Sequence, residues 1–211
     1  HKWFNPGIQD VEFDLQKAQE ILDSAAYTDS NDDGLREMPG SSRPLDFRLS
    51  IPSDSGTDSR AAEMIGNWLR QIGIKVTPQT VGAETLKAAR CPACDYDMLL
   101  WEQDGGPDPG WLLSTLTTAQ VETGINQTGY SNALYDALYE QQANAIDQEQ
   151  RRQIVWRMQE IAFNDRPCIV LYYALAVQAY RRDRFDNWLF IPNGNLSLTD
   201  ERSLLQVKPA P

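Results

Sequence analysis

The sequence is short of histidine, cysteine and basic residues, and each shortage excludes a class of function. Its single histidine is His1, so catalysis that needs an imidazole held inside the fold, as in a Ser-His-Asp triad, is nearly excluded. Three cysteines in 211 residues are too few for a disulfide scaffold. Thirty acidic residues against nineteen basic ones give a net charge of -11. That charge disfavours nucleic acid and anionic membranes as partners, because both bind basic surfaces.

Long apolar runs are also missing. The longest, Cys168–Val177, has about half of the roughly 18 residues that a membrane-spanning helix needs. The first residues contain neither a Met nor an apolar stretch typical of a signal peptide, so we expect the chain to begin after a removed segment. A content of 41% hydrophobic and 23% charged residues is ordinary for one large or two small globular domains.

The pattern of apolar residues in the first half of the chain predicts a βαβ unit. Residues 45–51 alternate apolar and polar, as in a half-buried strand. Helical spacing then predicts a helix that starts at a cap, Asp58, and ends at Gly73, before a strand over residues 74–81. Short connections favour a parallel pair with a right-handed crossover. The apolar run at 97–101 is typical of a central strand covered on both faces.

Three more helices are predicted around this unit. One begins at the cap Asp14, one runs from Asn132 to about Ile146, and one runs from the cap Asp147 to Pro167. We expect the second to bury Leu134, Leu138, Ala145 and Ile146. The apolar residues from 168 to 177 predict a strand or hairpin. The fold class is therefore α/β: a mixed sheet that contains the βαβ unit and is flanked by helices.

Cys91 and Cys94 form a CxxC pair. Thiol–disulfide oxidoreductases place this pair at a helix N-terminus, where the helix dipole lowers the pKa of the first thiol, but here it leads into the predicted strand at 97–101. A structural zinc ion needs four ligands, and the remaining candidates, Cys168 and His1, do not stand at metal-binding spacing. The residues favour a local disulfide or two free thiols in a loop.

Residues 29–37 match the first half of a calcium-binding loop. The candidate ligands are Asp29, Asn31, Asp33, the carbonyl of Leu35, and Glu37. Oxygens at alternating positions converge on one point, and Gly34 permits the sharp turn that this needs. The position of the bidentate glutamate is taken by Gly40, and Glu37 replaces it only in part. The other interpretation is an acidic, solvated loop closed by Asx-turns.

A third segment places an indole and a carboxylate where the run 97–101 ends. Trp101 is the last residue of that run, and Asp104 follows on a loop rich in glycine and proline. Ligands of open α/β sheets bind beside the carboxyl ends of the strands. The indole offers a flat apolar wall, and the carboxylate can pair with an ammonium group. The alternative is a structural tryptophan beside solvated acids.

The order and spacing of five segments resembles the C-terminal part of the family-5 extracellular solute-binding proteins, the oligopeptide and dipeptide receptors of ABC importers. The first segment resembles the D-x-x-K-A-x-x-L-L helix of that family, and the second its turn from helix to strand. The third resembles its Y-D-M, W-x-x-D and D-P block. The five segments are residues 14–22, 68–76, 96–109, 129–136 and 151–172.

The resemblance implies a fold and a site. The fold is a lobe of a periplasmic binding protein of type II, cluster C. Residues 1–211 are expected to form a single C-terminal ligand-binding lobe, with the N-terminal portion of the receptor absent. A peptide or another small solute is held between two lobes. Asp104 would hold the α-amino group of a peptide, Trp101 would line the same pocket, and Asn126 and Tyr130 would reach toward the cleft.

The resemblance also implies partners and a location. The partners are the permease subunits of an ABC transporter, and the full-length protein would be anchored outside the cytoplasmic membrane as a lipoprotein, or be periplasmic. It would bind without catalysis and without a required cofactor, calcium being the one candidate. The run 103–106 departs from the family pattern, which leaves the ligand class open among peptides, nickel complexes, sugars and opines.

Two other functions remain as alternatives at this point. One is a carboxylate-dependent hydrolase that uses Glu102 and Asp104. The two carboxylates, at i and i+2 of an extended segment, face the same side and are too close to flank a sugar ring comfortably. The other is a calcium-dependent interaction module built on residues 29–37.

Overall fold

The computed structural model describes residues 2–103, 105–106, 108–173, 179–190 and 201–210. The chain divides into two units, His1–Pro167 and Cys168–Pro211. In chain order, the elements of the first unit are α1 (Leu15–Ser24), β1 (Asp46–Pro52), α2 (Gly56–Arg70), β2 (Lys75–Val81), α3 (Ala83–Ala89), β3 (Met98–Leu99), α4 (Gly110–Ser114), a 3-10 helix (Thr118–Gln120), α5 (Ala133–Asn144) and α6 (Gln148–Asp165).

A parallel sheet ordered β2–β1–β3 organises the first unit. β1 pairs with β2 over its whole length and with β3 at Leu49 and Ser50. α2 connects β1 to β2, which confirms the α/β class and the βαβ unit. The pairings described in this sheet are all parallel, so the sheet is not mixed over these residues.

The strand predicted over residues 97–101 is shorter and lies elsewhere in the sheet. Only Met98–Leu99 pairs, and within the described residues β3 is at the edge while β1 is in the middle. Within the described residues the prediction of a central strand does not hold, because an apolar run reports burial of its side chains and carries no information on which neighbours the backbone pairs with.

Side-chain caps define where the helices start. Asp14, Asn132 and Asp147 each accept hydrogen bonds from backbone amides of the first turn, as predicted. For α2 the cap is Ser55, whose Oγ accepts from the backbone N of Asp58 at 3.2 Å. The prediction of Asp58 as the cap was therefore wrong by one turn, since both residue types suit that position.

Two apolar cores stabilise the first unit. The βαβ core consists of Leu49, Ile51, Ala62 and Val76. The helical core consists of Trp3, Leu113, Tyr135, Leu138, Val155 and Met158. The face that α5 buries differs from the prediction: Leu138 is buried, but Leu134 and Ile146 are 47% and 101% exposed. α5 instead buries Tyr135, Leu138 and Gln142.

The second unit contains an antiparallel pair, β4 (Phe185–Asp186) and β5 (Lys208–Pro209), and a helix, α7 (Glu201–Gln206). Residues 168–173 carry neither helix nor strand, in contrast to the predicted strand or hairpin, and residues 174–178 lie outside the described residues. Within the part of the chain that the structure describes, no helix has both the length and the apolar character to cross a membrane.

Candidate functional site

The carboxyl ends of the three parallel strands form one edge of the sheet, as parallel pairing requires. Two hydrogen bonds close this edge: the N–H of Ser53 donates to the carbonyl of Val81, and that of Leu100 donates to the carbonyl of Ser50, both at 3.0 Å. Trp101 follows Leu100 directly and is partly buried. The indole therefore belongs to a residue at the edge of the sheet where ligands of α/β proteins bind.

The connection from β3 to α4 carries the second predicted ligand residue, Asp104, which lies outside the described residues. Around it, the described residues 102–103 and 105–106 are exposed. Gly105 rests against α4, because a Cβ built on it would be 3.1 Å from Cδ1 of Leu112. The proximity of Asp104 to the Trp101 indole stays a prediction.

Asp108 ends this connection in an ion pair with Arg151 of α6. Nη1 of Arg151 is 2.6 Å from Oδ2 of Asp108, and Nη2 is 2.8 Å from Oδ1. These hydrogen bonds hold the pKa of the Asp108 carboxyl below its usual range and raise that of the Arg151 guanidinium. A two-point pair of this kind fixes orientation as well as distance.

Asn126 is fully buried, with 0% of its surface exposed. Its Nδ2 donates to the carbonyls of Thr117 and Tyr130, at 2.9 Å each. Its Oδ1 accepts from Oγ1 of Thr128 at 2.9 Å and from the backbone N of the same residue at 3.2 Å. The side chain thus closes the loop between the 3-10 helix and α5. These hydrogen bonds give Asn126 a structural role, and its direct contact with a ligand stays a prediction.

Tyr130 is tied to the end of α6. Its hydroxyl donates to Oδ2 of Asp165, which also accepts from Nδ2 of Asn132 at 2.9 Å. Burial, and then the hydrogen bond to the Asp165 carboxylate, raises the pKa of Tyr130 to about 12. The same hydrogen bond, with that from Asn132, lowers the pKa of Asp165. The hydroxyl of Tyr130 is occupied by a structural contact.

Cys91 and Cys94 are joined by a disulfide, which lies against the loop that Asn126 closes. A Cβ built on Gly129 would be 3.2 Å from Sγ of Cys91. Just after the disulfide, the hydroxyl of Tyr96 donates to the carbonyl of Gln127 at 2.6 Å. The disulfide segment and the loop are therefore packed as one structure.

Convergence of the predicted ligand residues on one ligand stays a prediction, since Asp104 lies outside the described residues. The disulfide segment precedes β3, whereas Trp101 follows it, so the loop packed on the disulfide contacts the chain before that strand. Among the described residues, no hydrogen bond or ring contact joins Trp101 to Asn126 or Tyr130. The structure places Trp101 just after β3, at the carboxyl ends of the parallel strands, and shows Asn126 and Tyr130 in contacts that order a loop.

The acidic loop brings together carboxylates of Asp29, Asp33 and Glu37, with one oxygen of each within 4.8 Å of the others. Glu37 is buried, at 4% exposure. All three carboxylates already accept backbone hydrogen bonds within the loop, as does Oδ1 of Asn31, and the N–H of Leu35 donates to Oδ1 of Asp33 at 2.8 Å. The Asx-turn interpretation therefore describes the geometry, and calcium binding stays a prediction.

Sequence reasoning did not single out Arg151 and Asp165 as site residues. Arg151 binds Asp108 just before α4, and Asp165 binds Tyr130 just before α5. Arg151 and Asp165 both lie on α6, at positions that a helical pattern classes as polar surface. A local signal existed for Asp108 alone, because an aspartate side chain commonly accepts a hydrogen bond from the backbone N–H two residues further on, as Asp108 does from Gly110. Its partner on α6 is 43 residues further on. Arg151 opens one of the five family-like segments, but nothing in the sequence indicates that it pairs with Asp108.

Comparison with known proteins identifies the family. The model of the bacterial extracellular solute-binding proteins, family 5, middle part, matches residues 1–124. The chain belongs to this family. The resemblance in its motifs is thereby confirmed, and the family, by its description, acts in solute binding outside the cell.

Several curated proteins resemble the chain over most of its length. The oligopeptide-binding protein AppA of Bacillus subtilis is 27% identical over 182 residues, which cover 81% of this chain and 32% of AppA. Di/tripeptide-binding protein 2 of Pseudomonas aeruginosa is 26% identical over 184 residues, covering 85% and 32%. Heme-binding protein A of Haemophilus influenzae is 27% identical over 174 residues, covering 82% and 30%. The chain spans about a third of the length of these relatives.

Solved structures show the same fold. AppA of Bacillus subtilis in complex with a nonapeptide superposes with a TM-score of 0.67 at 25% identity, covering 77% of this chain and 32% of that one. A periplasmic oligopeptide-binding protein of Thermotoga maritima gives a TM-score of 0.78 at 21% identity, covering 94% and 40%. The fold is that of the periplasmic oligopeptide-binding proteins of type II. These comparisons support neither the hydrolase nor the calcium-module alternative.

Proposed function

We propose that this chain supplies one wall of the ligand cleft in a substrate-binding protein of an ABC importer, with peptides or similar small solutes as ligands. The observation that carries the proposal is the place of Trp101 at the carboxyl edge of the parallel sheet, in a chain of this family. Relatives named for oligopeptide and di/tripeptide binding support peptides as the ligand class.

Binding requires no chemical step in this proposal. The indole of Trp101 provides an apolar wall, and Asp104, three residues further on, provides a carboxylate for the α-amino group of a peptide. Charge-assisted hydrogen bonds of this type contribute about 1.5–3 kcal/mol when the site is closed from water. Closure depends on a second lobe, so we expect the isolated chain to bind peptides only weakly, with dissociation constants on the order of millimolar.

The domain proposal concerns what completes the lobe. Residues 169–173 are apolar or aromatic and favour strands, yet Ile169 and Tyr173 are 74% and 88% exposed. Such a run is normally covered, and the relatives are about three times as long as this chain. We propose that residues 1–211 form a C-terminal lobe that further protein covers along residues 169–173.

The partners and location follow from the same proposal. A receptor of this family delivers its ligand to permease subunits of an ABC transporter, outside the cytoplasmic membrane. The negative charge of the chain, -11 in total, fits a receptor for ligands that carry a free ammonium group. Anchoring of the full-length protein to the membrane is part of the proposal.

Two peptides that differ only at the amino terminus test the site. Trialanine and its N-acetylated form are titrated at millimolar concentration into the 15N-labelled chain, and amide shifts are followed. We expect trialanine to shift the signals around Trp101 and the acetylated peptide to have at least about tenfold weaker effect, since it lacks the charge that Asp104 would bind. Equal effects of the two peptides would contradict the role of Asp104.

Matched variants refine this test. Asp104→Asn and Trp101→Ala should abolish the response to trialanine. Asp95→Asn, an exposed aspartate before β3, and Trp111→Ala, a half-exposed tryptophan of α4, should leave it unchanged. Micromolar binding of trialanine by this chain alone would contradict the proposal that a second lobe closes the site.

A further inference from the structure

Two buried side chains orient the guanidinium of Arg151 independently of the carboxylate with which it pairs. Its Nε donates to Oε1 of Gln142 at 3.0 Å, and Gln142 on α5 is 2% exposed. Its Cζ lies 4.9 Å from the ring centre of Trp3, which is 4% exposed. One guanidinium edge is thus held by α5 and one face by an indole, which leaves the two Nη atoms pointing in a fixed direction.

Asp108 receives both Nη atoms and also holds the start of α4. Its Oδ1 accepts from the backbone N of Gly110 at 2.8 Å. A Cβ built on Gly110 would be 3.0 Å from that Oδ1 and 3.6 Å from Nη2 of Arg151. The glycine therefore allows α6 and the start of α4 to share one carboxylate.

The connection from β3 to α4 is held at two ends. At its start, the N–H of Leu100 donates to Ser50 of β1. At its end, Asp108 is bound to Arg151. Its described residues in between are exposed and two of them are glycines, so they bury little surface that would order them independently.

We propose that Arg151 is a positioning residue for the β3–α4 connection, and through it for the ligand contacts of Trp101 and Asp104; this rests on the function proposed above. Lysine cannot replace it, because an ammonium group lacks the fork that reaches both carboxylate oxygens and also lacks an Nε for Gln142.

Arg151→Lys tests the proposal, with Arg152→Lys as the matched control. Arg152 follows Arg151 on α6, pairs with Glu149 and stacks on Trp156 with 5.1 Å from Cζ to the ring centre. In Arg151→Lys we expect exchange of the Gly110 amide to rise roughly tenfold and the heteronuclear NOE of the Gly105 amide to fall. Arg152→Lys should change neither.

Several outcomes would overturn the proposal. One is that the NOE of Gly105 and the amide exchange rate of Gly110 stay unchanged in Arg151→Lys. Another is an equal rise in amide exchange throughout β1 and α2, which would show a general loss of stability. If Arg151→Lys does not fold, Asp108→Asn replaces it with the same expected local changes.

Peptide binding separates this proposal from the function on which it rests. In Arg151→Lys, trialanine should lose more affinity than the N-acetylated peptide, because the acetylated peptide has no ammonium group and so no charge contact with Asp104 to lose. Failure of the wild-type chain to respond to either peptide would sink the proposed function, whereas the Gly105 and Gly110 signals would still report on Arg151. A normal preference for trialanine in Arg151→Lys would sink the positioning role alone.

Discussion

Gly129 packs directly on the sulfur of Cys91: a Cβ at position 129 would lie 3.2 Å from Sγ of Cys91 and 3.5 Å from Sγ of Cys94. The backbone of Gly129 is also in the left-handed region, with φ of 68°. Two separate requirements, space and backbone conformation, therefore favour glycine at this position, and a pair of variants can separate them.

Gly129→Ala should destabilise the chain more than Gly40→Ala. Gly40 has a similar φ of 71° but nothing within 4 Å of a built Cβ, so its alanine variant measures the backbone cost alone, about 1 kcal/mol. The crowding against the disulfide should add about 1–3 kcal/mol in Gly129→Ala. Urea unfolding of both variants gives the difference, and equal losses would show that the loop moves aside freely.

Asn126→Ala should lower the free energy of unfolding by about 2–4 kcal/mol. It removes the side-chain donor to the carbonyls of Thr117 and Tyr130 and the acceptor of two hydrogen bonds from Thr128, and within the described residues only the Thr117 carbonyl keeps another donor, the N–H of Gln120. Asn144→Ala is the control: Asn144 is exposed and bonds only within α5, so its change should stay within about 0.5 kcal/mol. Peptide binding at matched fractions of folded protein should be unaffected by Asn126→Ala. A specific loss of binding would show that Asn126 contacts the ligand.

Tyr130 should lose its proton at an unusually high pH, and the chain should lose stability over the same pH range. Its pKa is raised to about 12 in the folded chain, above the unfolded value of about 10. The protonated hydroxyl therefore contributes stability that is complete below pH 10 and is lost as the pH rises toward 12. Tyr130→Phe should remove the highest tyrosinate step from an ultraviolet titration and flatten the loss of stability in this window. An unchanged titration would show that the pKa of Tyr130 is not raised.

Calcium should stabilise the chain if the predicted ion binds between Asp29, Asp33 and Glu37. With a dissociation constant in the weak range of about 1 mM, 10 mM calcium adds about 1.4 kcal/mol and raises the melting temperature by a few degrees. Magnesium, which prefers a rigid octahedral site, should have less effect, and Glu37→Gln should abolish the shift. An unchanged melting temperature at 10 mM calcium would contradict calcium binding by this loop.

Local chemistry explains the parts of the fold that could be predicted. The caps Asp14, Asn132 and Asp147 bind amides within three residues of themselves, so the sequence contains the whole interaction. The same holds for the alternation over residues 45–51 and for the spacing of Val155 and Met158, which repeat on one helix face. The family motifs added the architecture that these elements belong to.

Long-range contacts decided the rest. Ile146 was expected inside and is fully exposed, because α5 ends at Asn144 and Ile146 lies in the connection to α6 rather than on a packed helix face. Arg151 and Asp108 pair although they are 43 residues apart in the sequence, and Tyr130 binds Asp165 across a separation of 35 residues. The amino-acid sequence by itself determined the βαβ unit, the starts of α1, α5 and α6, and the family. Only the tertiary structure decided which polar side chains pair, because pairing depends on distances between elements that no local pattern encodes.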